Sequence, residues 1–410
     1  MPFLPPHTHR DAGVLLTTRG IRGFVDGIIS LSITALLPVF GFSALRVGVV
    51  VTGMMLGSAA LTLLVGTKGN AFPRRSLLVA GSVLMVVSGA LFGTATSFMM
   101  LLVVGVIGTL NPTSGDVSVF LPLEQSMLAG TTPAASRTAL YARYTFIGGL
   151  AGAFGTLAIR IPEAIARNTS VSEETALRWC FGIYVLAGFV VMALYRTLSV
   201  ASTDPDTVVA TPLGRSKKVV YRLAALFSLD AFGGGFVVQS MLALWLFQRF
   251  DLSIGAAGTL LFVTGTLSAA SGFVAASLAK RIGLVRTMVF SHLPANCFLI
   301  AAAFMPNLQL AVVMLVLRSL LSSMDVPART SYVMAVVSPA ERAAAASVTN
   351  VPRSLAAALP PTAAGWMLDH STFGWPLIIA GTAKIVYDLL LLRQFRHVLP
   401  EEEQPSQTAR

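Results

Sequence analysis

Charge is what this sequence has least of. Asp, Glu, Lys and Arg make up 11% of its 410 residues, against about 25% in a typical soluble domain. Hydrophobic residues reach 55% and mean hydropathy is +0.76. That balance excludes a soluble globular protein and implies an integral membrane protein. Cysteine is nearly absent too. Cys180 and Cys297 both fall in apolar runs. Their scarcity excludes a disulfide framework or a cysteine metal site, and two buried free thiols are expected. Also missing are His-Glu-x-x-His, Gly-x-Ser-x-Gly and a nucleotide-binding loop. Neither an enzyme nor an ATP-driven pump is therefore expected, and no cofactor or metal is implied. The opening residues, Met1 to Arg10, lack the apolar core of a signal peptide.

Acids are few even against this background, 18 Asp and Glu facing 29 Lys and Arg, for a net charge of +11. In a soluble protein that excess points to nucleic acid. Here the basic residues sit in short connections between apolar runs. Membrane topology and anionic lipid account for them, so no nucleic-acid partner is expected.

What is present is a succession of apolar runs, each about 20 residues or more, the length a helix needs to cross a bilayer. Twelve are read between residues 18 and 395. The expected fold is all-α, with twelve transmembrane helices in two pseudo-symmetric six-helix halves. Residues 1–198 form the first half, 199–218 a polar linker and 219–410 the second half. Drawn this way, most Lys and Arg fall on one side, Arg74, Arg75, Arg137 and Arg281 among them. The positive-inside rule then places both termini in the cytoplasm of a cell whose plasma or inner membrane holds the protein. Trp179, Trp245, Trp366 and Trp375 fall at the outer ends of their runs and are expected to be interfacial anchors.

The halves echo one another. Ser114-Gly-Asp116-Val lines up with Ser323-Met-Asp325-Val, and Phe24-Val-Asp26-Gly with Ser228-Leu-Asp230-Ala. A charge at the centre of a bilayer costs roughly 2.5–3.5 kcal/mol even on lenient scales. Acids at matched places in a parallel repeat point to a transporter with a site between its repeats. The polar patch after Leu110 has a counterpart inside 308–337, so the fourth helix is expected to continue through 98–127 with a break or kink at Asn111-Pro112.

At these residues the chain resembles the major facilitator superfamily from about Arg19 to Arg396. Gly66 and Arg74-Arg75 match that family's loop between the second and third helices. Arg281, Gly283 and Arg286 repeat it in the second half, with Asn70 and Lys280 standing where the family has Asp. Ser338-Pro339-Ala-Glu341-Arg342 looks like the family's hairpin between helices 10 and 11. Arg22-Gly-Phe-Val-Asp26 is similar to the acidic first helix of proton-coupled members. The fifth helix, Tyr144 to Gly155, is glycine-rich but lacks the proline of the drug–proton antiporters. The resemblance implies that helices 1, 4, 7 and 10 line a central cavity, which would bring Asp26, Asp116, Asp230 and Asp325 to it.

Those four acids are the candidates for proton coupling. Asp116 has no cation within one helical turn, and Asp230 lies near mid-span with none nearby in sequence. Structural readings stand beside the functional ones: Asp26 as an i,i+4 partner of Arg22, and Asp325 paired with Arg329 or Arg353. Arg318, Asp325 and Arg329 would share one stripe of a continuous helix. Arg318, Tyr144, Gln239 and Asn111 are the candidates for contacting solute. Glu124 with Arg137 or Arg143, together with Arg329, Arg353, Arg74, Arg75 and Arg281, are candidates for the cytoplasmic gate. Lys384 and Asp388 read as a structural pair on a peripheral helix, and His292 as hydrogen-bonded to a neighbour. The expected function is alternating-access transport of a small molecule by a monomer in the lipid bilayer, coupled to protons. A facilitative uniporter and a non-transporting sensor are the alternatives.

Overall fold

In the computed structural model, residues 4, 8–68, 72–113, 118–199, 213–214, 216–337 and 341–395 are described. They form seventeen helices. The first eight are α1 (Arg10–Val39), α2 (Ala44–Lys68), α3 (Arg74–Thr94), α4 (Phe98–Ile107), α5 (Phe120–Ala129), α6 (Ala134–Ala158), α7 (Arg160–Asn168) and α8 (Glu173–Arg196). Then follow α9 (Lys217–Gly235), α10 (Gln239–Phe250), α11 (Ile254–Ile282), α12 (Leu284–Phe304) and α13 (Leu308–Ser319). The last are α14 (Asp325–Ala335), α15 (Arg342–Ala358), α16 (Pro360–His370) and α17 (Trp375–Phe395). Nine stretches among the described residues are long and apolar enough to cross a membrane, and α4 and α13 are shorter apolar helices. Joining α4 with α5, α13 with α14, and α15 with α16 completes twelve spans.

Local chemistry sets several helix ends. The His9 side chain accepts from Asp11 N–H at the start of α1, and Asn307 accepts from Leu310 N–H at the start of α13, each satisfying a donor the helix leaves open. α4 stops at Ile107, five residues before Pro112, and does not run on to α5. The fourth span is thus two helices separated by 108–119, of which 114–117 lie outside the described residues. α13 and α14 are likewise separated by 320–324. The continuous helix needed to put Arg318 on one stripe with Asp325 and Arg329 does not exist. In the first interruption Asn111 Oδ1 accepts from both Thr113 N–H and Thr113 Oγ1; in the second, Ser322 N–H still bonds Arg318 O, and Ser322 Oγ lies 3.4 Å from Ser268 Oγ of α11.

The chain divides into two compact units. The first comprises 1–206, 237–266 and 361–372; the second comprises 207–236, 267–360 and 373–410. In the first, α1 is buried almost all round and packs on α6 and α8. Glycines permit the α1–α6 approach. A Cβ on Gly23 or Gly27 would collide with the carbonyl of Gly148 or Gly152, and one on Gly155 with the carbonyl of Phe24. This four-residue spacing of small residues lets two backbones meet in lipid, where van der Waals contact drives helix association. At the far end of α1, the Asp369 carboxylate accepts from the N–H groups of Ala44 (2.7 Å) and Leu45 (2.9 Å) and so caps α2. Thr52 Oγ1 meets Thr362 Oγ1 at 2.8 Å nearby. These contacts join segments far apart in sequence, so the compact units do not follow the division into 1–198 and 219–410.

In the second unit, α9 packs on α15 and α17, and α12 packs on α17, α13 and α14. Phe227, Met288, Tyr332, Tyr387 and Leu391 form its core. Each end of the linker is held by a carboxylate of its own unit. Asp11 takes Ser199 N–H (3.1 Å) and Ser199 Oγ (2.5 Å), while Glu341 takes Gly214 N–H (3.0 Å) and Ser216 N–H (3.3 Å).

Two expectations change. Trp179, Trp366 and Trp375 are exposed, but Trp245 is wholly buried and donates to Thr372 O at 3.2 Å; it is a core residue, not an interfacial anchor. Cys180 is buried, whereas Cys297 is exposed on the outer face of α12.

The glycine contacts generate a test. Gly27→Ala places a methyl against the Gly152 carbonyl, whereas Gly182 on α8 faces open space. Gly27→Ala should lower the apparent melting temperature of the detergent-purified protein. Gly182→Ala should leave it unchanged or raise it, since alanine is the better helix former by about 1 kcal/mol. Tryptophan fluorescence during heating reads both.

Candidate functional site

Each unit contains a buried polar cluster centred on a carboxylate. In the first, Glu124 on α5 is fully buried and accepts four side-chain donors: Arg22 and Tyr144, Thr18 Oγ1 at 2.8 Å and Tyr195 Oη at 2.6 Å. Arg22 completes its surroundings with Ser118 Oγ (3.4 Å) and the Phe120 ring, 4.3 Å below the guanidinium carbon. The cluster ties α1, α5, α6 and α8 together. A buried carboxylate with both oxygens filled and a charge partner is the form in which a charge survives away from water.

This assignment corrects two expectations. Glu124 is held by Arg22, not by Arg137 or Arg143, because α5 presents it to α1. Tyr144 is wholly buried and spends its hydroxyl on Glu124, which removes it from the solute-contacting set. It also means that Arg22 is not a dedicated i,i+4 partner for Asp26. Asp26 is buried with Arg22, Arg19 and Asn111 as its polar neighbours. Asp116 lies outside the described residues.

In the second unit, Asp230 on α9 is the hub. Lys384 Nζ of α17 lies 2.6 Å from its Oδ1, and Arg329 of α14 lies 3.3 Å from its Oδ2. Arg329 also pairs with Asp325 at 3.1 Å, settling that partner in favour of Arg329. Arg353 of α15 acts on Asp230 electrostatically. His292 of α12 stands between two acids, with Nδ1 3.0 Å from Asp388 and Nε2 3.8 Å from Asp230. Asn296 donates to the other Asp388 oxygen at 3.2 Å. The expected Lys384–Asp388 pair is therefore replaced. Lys384 reaches across to α9 and leaves Asp388 to His292 and Asn296, so α17 joins the charged centre of this unit. Asp230 has no cation within a turn, as read from sequence. Its partners come from α14 and α17, a tertiary fact that no local spacing encodes.

Two buried nitrogens, Gln239 Nε2 and Arg318 Nε, lack a hydrogen-bond partner among the described residues and sit beside interrupted helices. Asn111 lies in the gap between α4 and α5, with Asp26 as its hydrogen-bonding neighbour. Gln239 Nε2 lies just after the gap between α9 and α10, and Arg318 Nε just before the gap between α13 and α14. The Arg318 side chain makes no hydrogen bond or ion pair with any described residue. Arg137 and Arg353 also bury an Nε with no acceptor. Arg75 donates to the carbonyl of Arg196, Arg74 opens α3, and Arg281 is exposed at the end of α11.

Comparison with known proteins follows the same outline. A yeast relative, described as an uncharacterised membrane protein of Saccharomyces cerevisiae, is 24% identical over 421 aligned positions, covering 94% of both chains. Among solved structures, the nucleoside transporter NupG superposes with a TM-score of 0.71 at 13% identity, over 95% of this chain and all of that one. A bacterial homologue of the human lysosomal transporter Spinster, in an inward-facing unoccupied conformation, gives 0.66 at 17% identity, over 94% and 95%. A human organic anion transporter gives 0.65 at 17% identity, over 94% and 100%. At those identities the likeness establishes the fold. Residues 15–308 and 223–410 match the profile of the Major Facilitator Superfamily. With twelve membrane spans and a family profile that extends over nearly its whole length, the chain belongs to the major facilitator superfamily of membrane transporters.

Proposed function

We propose that this chain is a secondary active transporter that moves a small, acceptor-rich solute by alternating access and couples it to protons. The observation that carries the reading is Arg318 Nε of the second unit, buried without an acceptor just before the interruption between α13 and α14. A buried donor left without an acceptor costs about 1–3 kcal/mol. Broken helices that expose such groups are where transporters hold their cargo. A carboxylate, phosphate or carbonyl-bearing solute supplies an acceptor to Arg318, whose charge and planar fork suit an anion. The fold is shared with an organic anion transporter and a nucleoside transporter, whose solutes present acceptor oxygens.

In this proposal the moving parts are the sequence halves 1–198 and 219–410, with both termini cytoplasmic in a plasma or inner membrane. The coupling acids are Asp26 and Asp116 in the first half and Asp230 and Asp325 in the second. Arg329 and Arg353 act where the second half closes, alongside Arg137, Arg143, Arg74, Arg75 and Arg281. Asp230 and Asp325 are engaged by cations in the structure, so a role in coupling requires those pairs to part during the cycle.

Proteoliposome flux with a pH-sensitive dye inside tests the reading, using organic acids, nucleosides and neutral sugars in parallel. Uptake of an anionic or nucleoside solute with simultaneous proton movement is expected. Solute flux without proton movement would make the protein a uniporter, and no flux of any solute would leave a sensor. Arg318→Ala should weaken the apparent affinity about 10–100-fold, the size of a lost charge-assisted hydrogen bond. Arg318→Lys should recover part of it.

A double-mutant cycle tests the hub. Asp230→Asn strands Lys384 and Arg329, and breaking a buried pair costs about 3–5 kcal/mol, so the single variant should be visibly less stable. Adding Lys384→Met should restore much of that stability. If the two losses simply add, the contact contributes no coupling energy.

A further inference from the structure

The proposed cycle gives no role to His292 or to its partner Asp388 in the second cluster. The position of His292 is unusual for a buried imidazole. Nδ1 faces Asp388 Oδ1 at 3.0 Å and Nε2 faces Asp230 Oδ1 at 3.8 Å, and the side chains of all three residues are 5% exposed or less. A neutral imidazole carries one N–H and one lone pair. Whichever tautomer it adopts, one ring nitrogen would then aim a lone pair at a carboxylate oxygen. With both acids ionised and the ring proton on Nδ1, the Nε2 lone pair is turned toward Asp230 Oδ1 at 3.8 Å, a repulsion that a second ring proton, or a proton on Asp388 that His292 accepts, relieves.

The other groups around the imidazole do not remove this demand. Lys384 of α17 is 2.6 Å from Asp230, on the same oxygen that faces His292. Arg329 of α14 divides its donors between Asp230 and Asp325. Arg353 of α15 acts on Asp230. Arg318 of α13 forms no hydrogen bond or ion pair with the cluster. Lys384, Arg329 and Arg353 all bear on Asp230, and Arg329 on Asp325 as well. On its far side, Asp388 has only the neutral Asn296 amide at 3.2 Å, and Lys384 reaches it electrostatically from one turn away. Tyr387 stacks edge-on to the imidazole at 6.1 Å, and its buried hydroxyl has no hydrogen-bond partner among the described residues.

We propose that His292 and Asp388 form a proton-binding site, holding one exchangeable proton between α12 and α17. The proton sits on the imidazole, with Asp388 as its counter-ion, or on the Asp388 carboxyl, donated to the ring. When it leaves, the N–H or O–H bond breaks and the pair keeps a net negative charge beside Asp230. That charge competes for Lys384, the cation holding α9 to α17. Loss of the proton is thereby felt at the Asp230 hub without any direct contact with solute. The inference deepens the proton-coupled reading and rests on it for its meaning in transport, though not for the existence of the site.

The test is a ring-nitrogen NMR measurement on ¹⁵N-histidine-labelled full-length protein in lipid nanodiscs. The chain has five histidines. Replacing His7, His9, His370 and His397 with Asn leaves His292 as the sole signal in its native surroundings, and His292→Asn confirms the assignment by loss. Near pH 7 both ring nitrogens should resonate as protonated imidazolium, collapsing to a neutral pattern in Asp388→Asn. A neutral ring accompanied by a carboxylic-acid infrared band that Asp388→Asn removes supports the same site with the proton on the acid. A neutral His292 with no such band overturns the proposal. Flux in the pH-dye assay separates the two readings. An imidazolium at His292 with proton-independent transport would sink the coupling while leaving the site, whereas proton-coupled flux with a neutral, bandless pair would do the reverse.

Discussion

A charge or backbone group inside a bilayer has no water to turn to, and most of this structure follows from that single constraint. The first unit meets it at Glu124. One carboxylate collects an arginine, two tyrosines and a threonine from three other helices. Removing any donor would leave a charge partly bare, so the four helices keep their register around one residue. The second unit meets the same constraint differently. Its acids, Asp230, Asp325 and Asp388, share cations and an imidazole in an open chain of pairs. Glu124 is a closed account, every lone pair filled. The second cluster has members that can exchange partners, because Arg329 serves two acids and His292 faces two.

Much of the fold was legible because the same constraint writes itself into composition. Long apolar runs, scarce charge and matched acids in two halves led to twelve spans and to the family. Helix packing was partly legible as well: Gly23 and Gly27 opposite Gly148 and Gly152 is a spacing that a reader can see, though not which helices it joins. The charge partners were not legible. Spacing arguments look one turn away, and they suggested Arg22 for Asp26 and Lys384 for Asp388. In the structure Arg22 goes to Glu124, 102 positions away, and Lys384 to Asp230, 154 positions away. An i,i+4 pair on an exposed helix contributes only about 0.2–0.5 kcal/mol. A buried acid on a neighbouring helix, with nothing else to neutralise it, outcompetes that easily.

The breaks in the fourth and tenth spans show a different limit of sequence reading. Aligning the two halves implied that both helices continue, and the alignment itself was sound, since both stop. A repeat transfers a property from one half to the other without saying which property it is. Pro112 with Asn111 accounts for one break. The other, at 320–324, contains no proline, and its Ser322 hydroxyl lies 3.4 Å from that of Ser268 on α11. The two interruptions have different local causes at matched positions, which is what a shared requirement for non-helical backbone would produce.

Three acids outside the two clusters are used in another way. Asp11, Glu341 and Asp369 accept backbone N–H groups from segments remote in sequence: Ser199, Gly214 with Ser216, and Ala44 with Leu45. A carboxylate that caps a distant helix start works like an ordinary N-cap, worth about 1 kcal/mol, yet it also fixes where two segments meet. Such a cap can be released without stranding a cation, because the freed N–H groups at a helix end can turn to water. A buried pair such as Asp230–Lys384 cannot part so cheaply. Carboxylate-to-backbone contacts near the helix ends and carboxylate-to-cation contacts in the span interiors therefore divide the work: the former make connections that open at low cost, and the latter hold the helices together unless a proton changes the balance.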